Sequence, residues 1–183
     1  PTRTPHYWYN VVITGQFVYS ATPSHPLLAP SPPRLGSMGM GEPLDNVDAV
    51  IGAIRVLTDP LGLNLSMSHV TVSTSGVAQH VYTLLDALPS VRLAFSLHAA
   101  NDELRTRLMP INSKVGLREL SAAMATYLRA TKRRVTIQYV LLHGVNDSLA
   151  HAAELATFLA TVGPPARLHV NLIPYNAQSG PAA

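Results

Sequence analysis

The sequence predicts an α/β fold in which parallel strands alternate with covering helices. Two observations carry this: short β-rich runs and stretches of helical periodicity take turns from about Gly39 onward, and acceptor side chains stand where the helices would start. With 183 residues, 47% of them hydrophobic, the chain can bury the core of one domain.

The elements follow in order. Asn10-Val11-Val12-Ile13 reads as a short buried strand, after which Pro23, Pro26, Pro30, Pro32 and Pro33 crowd a stretch suited to neither a helix nor a central strand. Residues 14–37 are therefore expected to be loop, and the segment 1–37 a proline-rich, largely disordered insertion. Strands are expected at 69–74, 91–97, 135–142 and 168–173. Between and around them, apolar residues recur at helical spacing: Val47, Val50, Ile51, Ile54 and Leu57, then Val77, Val81, Leu84, Leu85 and Leu88. Two further stripes comprise Leu117, Leu120, Met124 and Leu128, and Leu149, Ala152, Leu155 and Leu159. Asp45, Asp48 and Ser148 supply acceptors for the free N–H groups of first turns. Right-handed crossovers would gather the C-terminal ends of the strands on one rim.

Composition narrows the chemistry. Without cysteine there is no disulfide, no thiolate zinc site and no cysteine-ligated iron–sulfur cluster. No apolar run reaches the length of a membrane span, and the start of the chain lacks the pattern of a secretory signal. The formal charge of +3 includes two basic groupings, Arg105, Arg107 and Lys114, and Arg129, Lys132, Arg133 and Arg134. Each suits either a phosphate contact or a solvated helix face.

Met38-Gly39-Met40-Gly41-Glu42-Pro43 joins glycines that let a ligand approach the backbone to a carboxylate suited to an ammonium group. Taken singly it also fits a plain strand-to-helix turn. Further strand ends, Ser73-Thr74-Ser75-Gly76, Ser96-Leu97-His98, the run from Tyr139 to His143, and Asn171 to Asn176, add hydroxyls, imidazoles and amides to the same rim. Jointly they suggest a polar pocket there.

The ordered set MGMGEPLDN, VTVSTSG, SLHAANDELRTRLMPIN, RRVTIQYVLLHGVND and VNLIPYN resembles the RlmN and Cfr family of radical S-adenosylmethionine (SAM) enzymes, which methylate carbon 2 or 8 of adenine in RNA. The wording is closer to the RlmN branch, which acts on carbon 2 in 23S ribosomal RNA and in some transfer RNAs. The resemblance implies a partial (β/α) barrel of the radical SAM type, with residues 38–183 supplying strands two to six and the first strand and cluster loop lacking. It implies SAM contacts at Gly41, Glu42, Ser73, Ser96, Leu97, His98 and Asn176, with the Glu42 carboxylate facing the methionine ammonium. It also implies a four-iron, four-sulfur cluster, which this chain cannot ligate, and no catalytic cysteine is present. A soluble monomer acting on RNA in the cytoplasm, or in an organelle stroma or matrix, is expected. A catalytically inactive remnant that binds SAM or RNA is the alternative. Glu42→Gln is expected to weaken SAM binding while folding survives.

Overall fold

The computed structural model describes residues 8–13, 17–22, 35–37 and 41–175. Strands β1 (Trp8–Ile13) and β2 (Phe17–Thr22) form an antiparallel hairpin, with Trp8 opposite Thr22 and Ile13 opposite Phe17. Strands β3 (Leu35–Ser37), β4 (Val70–Thr74), β5 (Arg92–Ser96), β6 (Val135–Leu141) and β7 (Leu168–Pro174) form a second sheet in that order, parallel throughout. The helices are α1 (Val47–Thr58), α2 (Ala78–Ala87), α3 (Asp102–Leu108), α4 (Leu117–Ala130) and α5 (Leu149–Val162).

The strand order never reverses, and the buried apolar stripes of the helices join one cluster on one face of the sheet. A doubly wound sheet reverses its order and covers both faces, whereas a barrel wall does neither. The sheet is therefore a wall of a (β/α) barrel. Its outer face carries Val70, Val72, Leu93, Phe95, Leu97, Val135, Ile137 and Tyr139, packed against Ile54, Val81, Leu84, Leu120, Met124 and Leu155 from the helices. Each such side chain, once buried, contributes about 1.5–3 kcal/mol. Tyr127, on α4, keeps its hydroxyl satisfied by donating to Val91 O at 2.9 Å.

The four strands expected at 69–74, 91–97, 135–142 and 168–173 and the four helical stripes match the observed elements to within a residue or two. The 14–37 segment differs, because Phe17–Thr22 and Leu35–Ser37 are strands. The physical reason is local: FVYSAT is rich in aromatic and β-branched residues, and only three residues, Gly15 among them, separate it from β1. The prolines that suggested a loop all come later, at positions outside the described residues. β1 lies in the hairpin and β3 in the parallel sheet. Among the described residues, no helix is long and apolar enough to cross a membrane.

The two basic groupings also part company. Arg129, Lys132, Arg133 and Arg134 lie where α4 runs into the start of β6, at the end of the wall opposite the strand C-termini. There Arg167 closes the end of α4 by donating to Leu128 O, Thr131 O and Arg133 O at 2.8, 2.6 and 2.5 Å. Arg105 is neither solvated nor free for phosphate, since its side chain is 0% exposed. Arg107 and Lys114 remain exposed beside it.

Candidate functional site

The inner face of the wall is set by pleat and register. In β4 the residues alternating with the core are Thr71 and Ser73, in β5 Arg92, Ala94 and Ser96, in β6 Thr136, Gln138 and Val140, and in β7 His169 and Asn171. Parallel pairing lines these up in rows: Ser73, Ala94, Thr136 and His169 form one, and Ser96, Gln138 and Asn171 the next toward the rim. A face so rich in hydroxyl, amide and imidazole groups cannot be a second hydrophobic core. It is a polar lumen.

The rim above it is built from unusual backbone. Of the five described residues with positive φ, four lie just past strand ends: Gly41 at 98°, Gly76 at 115°, His98 at 59° and Gly144 at 71°. Such conformations concentrate at functional sites. At Gly76 the positive φ favours glycine, and a Cβ there would also come within 2.7 Å of Leu120 Cδ1, so that side chain would have to shift.

Glu42 ties the first of these ends to the second. It caps the short helical turn Pro43–Asn46 by accepting from Leu44 N at 2.9 Å, and the same oxygen accepts from Thr74 Oγ1 at 2.8 Å. Its other oxygen accepts from the Ser75 backbone N–H at 2.6 Å and the Ser75 hydroxyl at 2.5 Å. Four donors thus fill the four lone-pair directions of the carboxylate.

Arg105 fastens the ends of β4 and β5. Its guanidinium donates to Leu97 O at 3.1 Å, Ser75 O at 2.6 Å, Ser96 O at 3.2 Å and Asn112 Oδ1 at 2.6 Å. Burial pushes its pKa down to about 10, partly offset by the nearby Asp102 carboxylate, so it stays charged at neutral pH.

His98 is fixed by its neighbour strand. Its Nδ1 accepts from the Val140 N–H at 3.1 Å, while Asn146, 2% exposed, donates from one amide nitrogen to His98 O and Val140 O, each at 2.8 Å, and accepts from Leu142 N at 2.7 Å. A ring nitrogen that accepts carries no proton, so the ring is neutral with its hydrogen on Nε2. Burial, and secondarily the positive charge of Arg105, lowers its pKa below 6.5. The unfolded chain then binds a proton that the folded chain refuses, so stability falls as pH drops below about 6.5 and levels off below the folded pKa. Chemical denaturation at stepped pH should show this fall in the wild type and a smaller one in His98→Asn; identical slopes would contradict it.

The residues singled out from the sequence therefore meet different fates. Gly41, Glu42, Ser73, Ser96 and His98 stand on the rim or the inner face. Leu97 does not join them through its side chain, which is 0% exposed and points into the core. Positions 96 and 97 of an alternating strand face opposite ways, and the Leu97 N–H is spent on Gln138 O at 3.0 Å. Asn176 lies outside the described residues. Reading from the sequence missed Arg105 as a buried tie, Asn146 as the brace of His98, and Thr74 and Ser75 as partners of Glu42. The one available signal was Arg105 standing beside Leu104 and three residues before Leu108, on an apolar stripe.

A barrel wall with outer helices, a polar lumen and a glycine-rich rim defines a class of ligand-binding (β/α) enzyme scaffold. The family model described as the radical SAM superfamily matches residues 34–156, and the chain belongs to that superfamily. It is similar to the probable dual-specificity RNA methyltransferase RlmN 1 of Protochlamydia amoebophila, 48% identical over 143 residues, which are 78% of this chain and 39% of that protein. It is also similar to the probable dual-specificity RNA methyltransferase RlmN of Geobacillus kaustophilus, 47% identical over 139 residues, 76% of this chain and 37% of the relative. Among solved structures, a radical SAM methyltransferase from Sphaerobacter thermophilus superposes with a TM-score of 0.74 at 44% identity, covering 81% of this chain and 42% of that one. The chain thus spans about two fifths of the length of the curated relatives it matches.

The radical SAM superfamily uses SAM and a four-iron, four-sulfur cluster. With no cysteine among its 183 residues, this chain offers none of the thiolates that ligate such a cluster, and its residues do not fit that group. They do fit SAM: among the described residues the hydroxyls of Ser73 and Ser96 are without hydrogen-bond partners, and the Nε2–H of His98 lies on the ring edge away from the Val140 N–H that Nδ1 accepts.

Proposed function

We propose that this chain is the SAM-binding wall of an RNA methyltransferase, and that the protein it represents methylates carbon 2 of adenine in 23S ribosomal RNA, with transfer RNA as a second substrate. The single observation that carries this is the convergence of Ser73, Ser96 and His98 on one polar face in a chain nearly half identical to proteins named as RNA methyltransferases. In this reading the wall binds and orients the methyl donor: Gly41 lets it approach the rim, Glu42 supplies negative charge toward its ammonium, Ser96 and the neutral His98 hold its sugar, and Asn176 belongs to the nucleoside end. Arg107 and Lys114, exposed on the rim side, are the cations placed for an RNA phosphate.

The missing thiolates favour a second reading, a SAM- or RNA-binding remnant without turnover. Titration calorimetry with S-adenosylhomocysteine tests the shared part. Binding is expected, and His98→Ala and Ser96→Ala should each weaken it by about three- to tenfold, one hydrogen bond's worth. No heat of binding, or affinity untouched by both substitutions, removes the donor site. Anaerobic incubation of the chain with iron, sulfide, SAM and RNA should yield no methylated adenine.

A further inference from the structure

We propose that the paired side-chain amides of Gln138 and Asn171 form a base-reading subsite on the floor of the lumen, taking the amino-bearing edge of an adenine-type base. The proposal rests on the adenine-directed reading above and adds to it the residues that recognise the base.

The argument begins with what a buried polar group requires. Six polar or charged residues are buried in the described structure: Thr74, Arg105, Asn112, Thr131, Gln138 and Asn146. Five of them spend their side-chain donors on protein acceptors: Thr74 on Glu42, Arg105 on three carbonyls and Asn112, Asn112 on Asp102 and Thr106, Thr131 on Tyr127 O, and Asn146 on His98 O and Val140 O. Gln138 is the exception. It is 8% exposed, accepts from Asn171 Nδ2 at 2.7 Å, and leaves its own NH2 group without a partner among the described residues. Among the described residues no buried side-chain nitrogen or oxygen is left without a partner, so that NH2 reaches the lumen. Facing the lumen, that NH2 is free to exchange water for a ligand acceptor.

The pair has a defined polarity. One amide donates to the other, leaving one NH2 and one carbonyl turned outward, and exchanging nitrogen for oxygen on both side chains leaves that outcome unchanged. Adjacent donor and acceptor are what adenine offers through its amino group and neighbouring ring nitrogen, and side-chain amides read adenine in this way. Register places Ser96, Gln138 and Asn171 in one row. Three strands span about 10 Å, room for a base lying edge-on to the floor with the Ser96 hydroxyl beside it.

The test compares adenosine with purine riboside, which lacks the 6-amino group, as ligands of the full chain and of Gln138→Met, a substitution of equal length. Wild type is expected to prefer adenosine by about tenfold, and Gln138→Met to bind both alike while melting as the wild type does. Should Gln138→Met fail to fold, Asn171→Leu on the exposed edge strand is expected to show the same loss of preference. Equal binding of both nucleosides by wild type, preference surviving in a folded variant, or binding of neither nucleoside overturns the proposal. Repeating the titration with S-adenosylhomocysteine present separates two sources of the base: competition identifies the donor's adenine, and undisturbed adenosine binding identifies that of the substrate. Failure of the donor site alone would appear as absent S-adenosylhomocysteine binding with the nucleoside preference intact.

Discussion

Arg105→Ala is expected to lower unfolding free energy by about 3–5 kcal/mol, the stranded acceptors and the void acting together, the largest effect of any single substitution in the wall. The guanidinium has no exposed surface, and its removal strands the carbonyls of Ser75, Ser96 and Leu97 together with Asn112 Oδ1. It also leaves a void the side chain had filled. Arg105→Lys should recover little, since an ammonium is a compact point donor and cannot span acceptors arranged around a planar fork. Urea denaturation gives the stability, and hydrogen exchange should show the ends of β4 and β5 opening before the rest of the sheet. A loss under about 1 kcal/mol would mean that the rim is held by something other than this fork.

The helices and four of the parallel strands were legible because their signal is periodic and local. The stripe from Val47 to Leu57 can be buried only as a helix, and VTVST or RLAFS only as strands with one apolar face. Topology followed from alternation. The hairpin strand β2 was masked by the proline-rich stretch after it, where composition outweighed a six-residue pattern. The α3 helix was missed because its seven residues, DELRTRL, are mostly charged and only Leu104 and Arg105 are buried. At the site, sequence located the residues without their partners. Nothing in the letters tells that the Nδ1 of His98 faces Val140, or that Asn146 braces it from 48 residues away. A basic residue in a run of charges looks solvated whether or not the strand ends turn their carbonyls toward it, which is why Arg105 reads from sequence as a surface or phosphate-binding cation.

Glu42 shows the same limit with the larger consequence. As a rim carboxylate it should be replaceable without harm to the fold. The structure instead has all four lone-pair directions taken by donors, two from backbone N–H groups and two from hydroxyls. Glu42→Gln turns one acceptor into a donor that must face either Leu44 N and Thr74 Oγ1 or Ser75 N and Ser75 Oγ, so at least one backbone N–H loses its partner. Charge-assisted bonds of this kind contribute about 1.5–3 kcal/mol each, and with some relaxation the expected loss of stability is about 2–3 kcal/mol. Thermal or urea unfolding measures it, and a variant as stable as the wild type would return Glu42 to the status of a solvent-facing turn residue. The same geometry sets the order of ligand effects. An ammonium group reaching this carboxylate must displace one existing donor, and the Ser75 hydroxyl is the one whose oxygen can turn to water most cheaply. Ser75→Ala frees that lone pair in advance, so it should cost the fold about 1 kcal/mol yet leave S-adenosylhomocysteine affinity equal or higher, whereas Glu42→Gln lowers both. If Ser75→Ala weakens the ligand as much as Glu42→Gln does, the carboxylate acts on the ligand only by shaping the rim, and the ammonium is bound elsewhere.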